Sequence, residues 1–143
     1  RVCLSSEILW KQLNSLGCTP KKSLTLKFPD ESIFKSKDLI RHFIRGYFDG
    51  DGCITYANKE HTNPSYQILG TQKFLEVIMK YLDIDETLHY NHYDDRNLTM
   101  FIRSTNKGAM QLFHKLYDNC SIYLNRKYER FIYFCRIFEK SNI

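Results

Sequence analysis

Residues 44–52, Ile44-Arg45-Gly46-Tyr47-Phe48-Asp49-Gly50-Asp51-Gly52, form an apolar, helix-like stretch that ends in two acids alternating with two glycines. From Ile40 onward, Phe43, Gly46, Tyr47 and Gly50 fall at steps of three and four, so they share one helical face. Two of these positions have no side chain. A glycine inside a helix costs about 1 kcal/mol relative to alanine, so a pair spaced by four implies a second backbone that approaches closely. The expected partner is another copy of the same helix, met through Gly46, Tyr47 and Gly50. Asp51 lies one turn beyond Tyr47, where Gly52 can end the helix, and the chain then turns strand-like at Cys53-Ile54-Thr55-Tyr56. An acid is thereby delivered to a helix tip beside a sheet. Two such helices packed through their glycines would bring two carboxylates together. Carboxylates bind hard divalent ions such as Mg²⁺, and two bridged metals suit in-line phosphodiester hydrolysis.

At 143 residues, with 43% hydrophobic and 15% aromatic content, the chain can bury one good core but not two independent ones. A net charge of +5 permits nucleic-acid binding without requiring it. Cys3, Cys18, Cys53, Cys120 and Cys135 are odd in number and lack CxxC spacing, which indicates neither a disulfide framework nor a zinc site. The simplest expectation is a cytoplasmic or otherwise intracellular reducing compartment, not secretion. No stretch approaches the roughly 20 apolar residues of a membrane span, and no signal peptide is visible. The first residue is Arg1 rather than Met, so the start of the gene product is expected to lie upstream.

Periodicity orders the elements. After a strand-like Arg1–Leu4, Leu9, Leu13 and Leu16 mark a short helix closed by Gly17, and Lys21 to Pro29 reads as extended or irregular. Ser36 or Asp38 starts the glycine-bearing helix. Cys53 to Lys59 and Ser65 to Leu69 form a predicted hairpin around the polar loop Glu60 to Pro64. Phe74, Leu75, Ile78 and Leu82 describe an amphipathic helix over Thr71 to Asp83. Glu86 to Tyr93 and Leu98 to Ser104 form a second hairpin around the turn formers Asp94-Asp95-Arg96-Asn97. Leu112, Phe113 and Leu116 mark the next helix, and Tyr128, Phe131, Cys135 and Phe138 the last. The fold class is α+β, with the order αββαββα from Asp38 and one extra helix.

Position for position, residues 44–52 resemble the signature of the LAGLIDADG homing endonucleases: apolar, any, Gly, apolar, apolar, Asp, small, Asp, Gly. That family's core unit has the same αββαββα order, so the resemblance covers Asp38 to Phe138, although only the signature is specific. It implies site-specific, metal-dependent cleavage of double-stranded DNA. The second acid of the signature binds metal in the family, which points to Asp51 as catalytic and metal-binding residue, with the Gly50 carbonyl beside it and Mg²⁺ as cofactor. The resemblance singles out Asp51 over Asp49. Lys127, in Leu124-Asn125-Arg126-Lys127-Tyr128, resembles a family lysine near the cleavage site that stabilises charge developing on phosphate. The bland readings are that DGDG is a turn composition and that a basic pair at a helix start is a phosphate contact or a solvated end.

Ser6 to Gly17 can be laid beside Thr105 to Tyr117. Both contain Gln-Leu with a Leu shortly after, and each is followed by a Cys, a basic pair (Lys21-Lys22, Arg126-Lys127) and a Phe (Phe28, Phe131). The match needs gaps, but its order is what an internal repeat leaves behind. Residues 1–30 are then the tail of a preceding repeat, with Lys22 matching Lys127, and residues 31–143 the endonuclease-type domain. Alternatively, 1–30 is an N-terminal extension on a one-signature homodimer. The partner carboxylate comes from a preceding half in the first case and from a second copy in the other.

Strand alternation divides the hairpins into faces. Ile54, Tyr56, Tyr66 and Ile68, with Leu88, Tyr90, Leu98, Met100 and Ile102, are expected to face the helices. Cys53, Thr55, Ala57, Lys59, Ser65, Gln67 and Leu69, with Thr87, His89, Asn91, Thr99, Phe101 and Arg103, are expected to face outward. A twisted ribbon fits the major groove, so Thr55, Lys59, Gln67, His89, Asn91, Thr99 and Arg103 are candidate DNA contacts, with Arg126 at the last helix. Solvated polar faces are commoner than reading faces. His89 and His92, three apart in a strand, point to opposite faces and make a poor metal pair. The competing functions are a maturase- or regulator-like binding module without cleavage, an intein-borne splicing domain, and an inert half of a two-signature enzyme. Retention of Asp51 favours cleavage, and neither chain end shows the His-Asn terminus of a complete intein.

Overall fold

A computed structural model describes residues 5–19, 25–91 and 99–140. The expected strand at residues 1–4, the turn at 94–97, and the positions of Lys22, His92, Tyr93 and Leu98 lie outside the described residues. Helix α1 (Glu7–Ser15) is followed by a single 3-10 turn at Glu31–Ile33 and by α2 (Lys37–Asp51). Strands β1 (Cys53–Tyr56) and β2 (Pro64–Gly70), helix α3 (Gln72–Leu82), strands β3 (His89–Tyr90) and β4 (Met100–Thr105), and helices α4 (Asn106–Tyr117) and α5 (Asn125–Lys140) complete the chain. From α2 this is αββαββα plus a last helix, as expected.

The hairpins merge into one antiparallel sheet of order β1-β2-β4-β3, so β2 and β4 pair at its centre. Both described flanking strands are shorter than their alternation suggests. After Tyr56 the chain makes one more bond, Ala57 N–H to the Asn63 carbonyl, and then Asn58 organises the loop. Its side-chain oxygen accepts the N–H groups of Thr62 and Asn63 at 3.1 and 2.8 Å, an Asx arrangement that ends pairing before Lys59.

One face of the sheet is covered by helices. Ile54, Tyr66, Ile68, Met100 and Ile102 from the strands meet Phe74, Ile78, Leu112, Phe113, Leu116 and Phe134 in a single core. Full burial of each such side chain contributes about 1.5–3 kcal/mol. In α2 the buried line runs through Ile40, Ile44 and Phe48, while Phe43 is only partly buried, against Phe28 and Phe34. The face expected to carry Ile40, Phe43, Gly46, Tyr47 and Gly50 together therefore divides between core and solvent, because the sheet and α4 approach the helix a fraction of a turn away from the glycines.

Cations from neighbouring helices close the helix C-termini, where unpaired carbonyls and the helix dipole favour positive charge. Lys115 donates to the carbonyls of Leu82 and Asp83 at the end of α3. Arg41 and the buried Arg45 of α2 donate to the carbonyls of Asp118 and Leu116 at the end of α4. Lys127 of α5 donates to Phe48 and Gly52 at the end of α2. By contrast, α1 buries no residue, although Ser6 caps its start and Gly17, at φ +90°, closes its end.

Candidate active site and nucleic-acid interface

Asp51 is the last residue of α2 and is exposed. It lines a cavity of about 480 Å³ with Leu26, Tyr47, Leu69, Gly70, Asn91 and Thr99. The helix stops there because Gly52 is extended (φ −75°) and has no room for a side chain. A Cβ at that position would lie 2.3 Å from the Phe48 ring and 2.7 Å from the Phe48 carbonyl oxygen. Gly52 is thus required by close approach, not by a left-handed turn.

The two acids of the signature have different surroundings. The Asp49 carboxylate accepts the Tyr117 hydroxyl at 2.6 Å and the Leu124 backbone N–H at 3.0 Å, tying α2 to the end of α4 and to the lead-in of α5. Asp51 instead lines the cavity and is exposed. Lys127 is 2% exposed, its ammonium held by the Phe48 and Gly52 carbonyls and lying 4.8 Å from the centre of the Phe48 ring. Burial, followed by the Arg126 charge, lowers its pKa, while Asp49 and Asp51 raise it. The lysine therefore sits behind the end of α2, with two of its three ammonium protons held by backbone carbonyls.

Gly46 and Gly50 are exposed, and a Cβ on either would meet open space. Tyr47, expected on the same interface, instead turns into its own unit. Its ring centre lies 4.6 Å from that of Phe74, and its hydroxyl donates to the Leu69 carbonyl at 2.7 Å. A long aromatic at the border of the core reaches the sheet, where its glycine neighbours cannot. Burial, and then the Asp51 charge, push the Tyr47 phenol up to about 12.

The sheet face away from the core is laid out in cross-strand rows. Leu69 pairs with Phe101, and Phe101 with His89; Gln67 pairs with both Cys53 and Arg103; Ser65 pairs with both Thr55 and Thr105. Of the candidate contacts, Thr55, Lys59, His89, Arg103 and Arg126 are exposed, while Gln67 and Asn91 are half-buried. Thr99 and Ser65 depart from the expected outward exposure. Thr99 is 9% exposed beside Asn91, whose amide donates to its hydroxyl at 3.1 Å, and Ser65 is 5% exposed between its two threonine neighbours. Tyr90 departs in the opposite sense. Strand alternation puts it on the core face, yet it is 58% exposed, because β3 is an edge strand.

Oxygen donors suit a hard cation, and Asp51 with the Gly50 carbonyl supplies them at the negative end of a helix. Among the described residues no group of three or more His, Cys, Asp or Glu side chains comes together. The roles of Arg45, Tyr117 and Asn58 were not anticipated. An arginine inside an otherwise apolar stretch was the visible signal for the first, and nothing in the pattern marked the other two.

Neither a family model nor a curated protein matches the chain. Solved structures do. The archaeal intron-encoded homing endonuclease I-Vdi141I, complexed with DNA, superposes with a TM-score of 0.57 at 14% identity, over 75% of this chain and 72% of that one. The group I intron-encoded I-CeuI, also complexed with DNA, gives 0.53 at 13% identity, over 95% of this chain and 73% of that one. The LAGLIDADG homing endonuclease I-LtrWI, bound to target DNA, gives 0.50 at 20% identity, over 73% of this chain but 38% of that one. With the signature closing α2 and the sheet beside it, this chain has the LAGLIDADG homing-endonuclease fold.

Proposed function

We propose that the protein is a site-specific endonuclease that hydrolyses phosphodiester bonds in both strands of duplex DNA, using Asp51. The observation that carries this reading is the uncovered acid at the end of a helix whose glycine-bearing edge is also uncovered, next to a sheet face bearing Gln67 and Arg103. A second signature helix seated on Gly46 and Gly50 would bring its own acid beside Asp51 and complete the oxygen donor set. That helix belongs to a second copy or to a preceding half of the same parent chain. DNA lies on the sheet face, contacted by Thr55, Lys59, Gln67, His89, Asn91 and Arg103, with Arg126 at the backbone. Mg²⁺, when bound, supplies Lewis-acid polarisation of the phosphate and a lowered pKa for the attacking water. Asp51 and the Gly50 carbonyl would hold it. Lys127 keeps the end of α2 closed and places positive charge behind the acids.

Retention of an acid at the exposed tip favours cleavage over a binding module of the same fold, because binding alone gives that position no use for a carboxylate. The test is selection from random duplex DNA in Ca²⁺, followed by transfer of the enriched pool to Mg²⁺. A long near-palindrome cut in both strands supports a homodimeric enzyme. A short asymmetric site bound without cutting supports a half that needs its preceding unit. The absence of any enriched sequence would contradict the proposal.

A further inference from the structure

The outward rows differ in chemistry in the order they leave the acidic tip. The row nearest the Asp51 cavity, after Asn91 and Thr99, is Leu69-Phe101-His89. Leu69 is 37% exposed, and the His89 ring stacks on Phe101 with centres 5.1 Å apart and planes 22° apart. This row offers mainly apolar surface. The next row, Cys53-Gln67-Arg103, borders a shallow cavity of about 450 Å³ that Thr55, Ser65 and Thr105 also line. Neither Gln67 nor Arg103 has a side-chain hydrogen-bond partner among the described residues, so a guanidinium and an amide face outward side by side.

We infer that the sheet reads its DNA row by row, the Leu69-Phe101 row selecting a thymine methyl and the Gln67-Arg103 row a guanine about two base pairs away. This rests on the DNA-cleaving reading above. Residues two apart on an antiparallel strand are about 6.8 Å apart, which matches two steps of about 3.4 Å along duplex DNA. In the major groove only thymine carries a methyl group, and apolar side chains recognise it. Guanine presents two acceptors, O6 and N7, that match a bidentate arginine. Gln67, paired across the strand with Arg103, takes the neighbouring adenine edge. Thr55, one row further out, offers one hydroxyl and one small methyl group and discriminates less.

The test compares sequence selection in Ca²⁺ by the full chain with selection by Arg103→Ala, Leu69→Ser and Phe101→Ala, using random duplex DNA as the probe. Arg103→Ala should abolish a preference for one G of about tenfold or more while leaving other positions unchanged. Leu69→Ser and Phe101→Ala should relax a single T, two base pairs from that G. Leu69 is exposed, so its variant keeps the apolar row testable if loss of the Phe101 ring unfolds the chain. If wild type selects a sequence but Arg103→Ala relaxes no position, or relaxes the same base pair as Leu69→Ser, row reading is wrong and the endonuclease proposal stands. If wild type selects nothing, the proposal beneath it fails as well.

Discussion

The Tyr117 hydroxyl donates to the Asp49 carboxylate across 2.6 Å, joining residues 68 positions apart at the place where α2, α4 and the start of α5 converge. The first acid of the signature is thereby a packing residue, and the second is left at the exposed tip. Arg45, buried one turn earlier on α2, donates to the Leu116 carbonyl beside Tyr117, so the same corner is braced from both helices. Tyr117→Phe keeps the ring and its stacking on Phe131 but removes one hydrogen bond to a charged group, worth about 1.5–3 kcal/mol. Urea unfolding should show a loss of that order. An unchanged midpoint would mean that Asp49 is satisfied without its tyrosine.

The glycines of α2 separate cleanly by environment. Alanine at Gly46 or Gly50 meets open space and leaves the unfolded chain less entropy to lose on folding, so each should stabilise the isolated chain by up to about 1 kcal/mol. The same substitutions should weaken pairing with a second signature helix, seen as reduced assembly by analytical ultracentrifugation. Alanine at Gly52 should instead destabilise by about 1–3 kcal/mol, because its Cβ would overlap the Phe48 ring and carbonyl. Tighter assembly of Gly46→Ala would remove the close-approach argument for that face.

Most of the frame was legible in the sequence because it depends on local rules. Period-3.6 patterns located α3, α4 and α5, and strand alternation correctly sent Ile54, Tyr66, Ile68, Met100 and Ile102 inward. Alternation states a side but not a depth. It could not foresee that the Asn91 amide would cover Thr99, that flanking threonines would enclose Ser65, or that Tyr90 would face solvent from an edge strand. The different surroundings of Asp49 and Asp51 were only half legible, since those of Asp49 are set by Tyr117 and Leu124, far along the chain. The motif marks Lys127, but its orientation depends on carbonyls exposed only once α2 ends at Gly52.

Lys127→Met should expose the cost of leaving those carbonyls without a donor. The ammonium is nearly fully buried and serves both the Phe48 and Gly52 oxygens, so removing it should cost about 3 kcal/mol of stability and loosen the end of α2. Faster amide exchange at Gly50 to Gly52 would be the local signature. If exchange there is unchanged while DNA cutting is lost, the lysine acts on the phosphate directly and not through the helix.

Asp51→Asn is isosteric and leaves the helix end intact, since the closing bond from the Gly52 N–H runs to the Phe48 carbonyl and not to this side chain. Cutting in Mg²⁺ should be abolished while binding of the selected duplex in Ca²⁺ and the urea midpoint remain close to wild type. Loss of folding together with cutting would make the acid structural.

Alkaline titration gives a prediction with a fixed sign. Burial, aided by the nearby carboxylates Asp51, Glu86 and Asp49 respectively, raises the phenols of Tyr47, Tyr66 and Tyr117, Tyr47 to about 12. A raised acid binds its proton more tightly in the folded state, so above the ordinary tyrosine value near 10 the unfolded chain ionises first. Their contribution to stability is therefore complete below pH 10 and is lost as pH rises toward 12 and beyond. The urea midpoint should fall steadily from pH 10 upward, with tyrosinate absorbance appearing together with unfolding. Tyr47→Phe removes the group that ionises at about 12 and should flatten the fall between pH 10 and 12. If the variant follows the wild-type curve, Tyr47 titrates in the folded state as a solvated phenol, and its contact with the Leu69 carbonyl does not hold in solution.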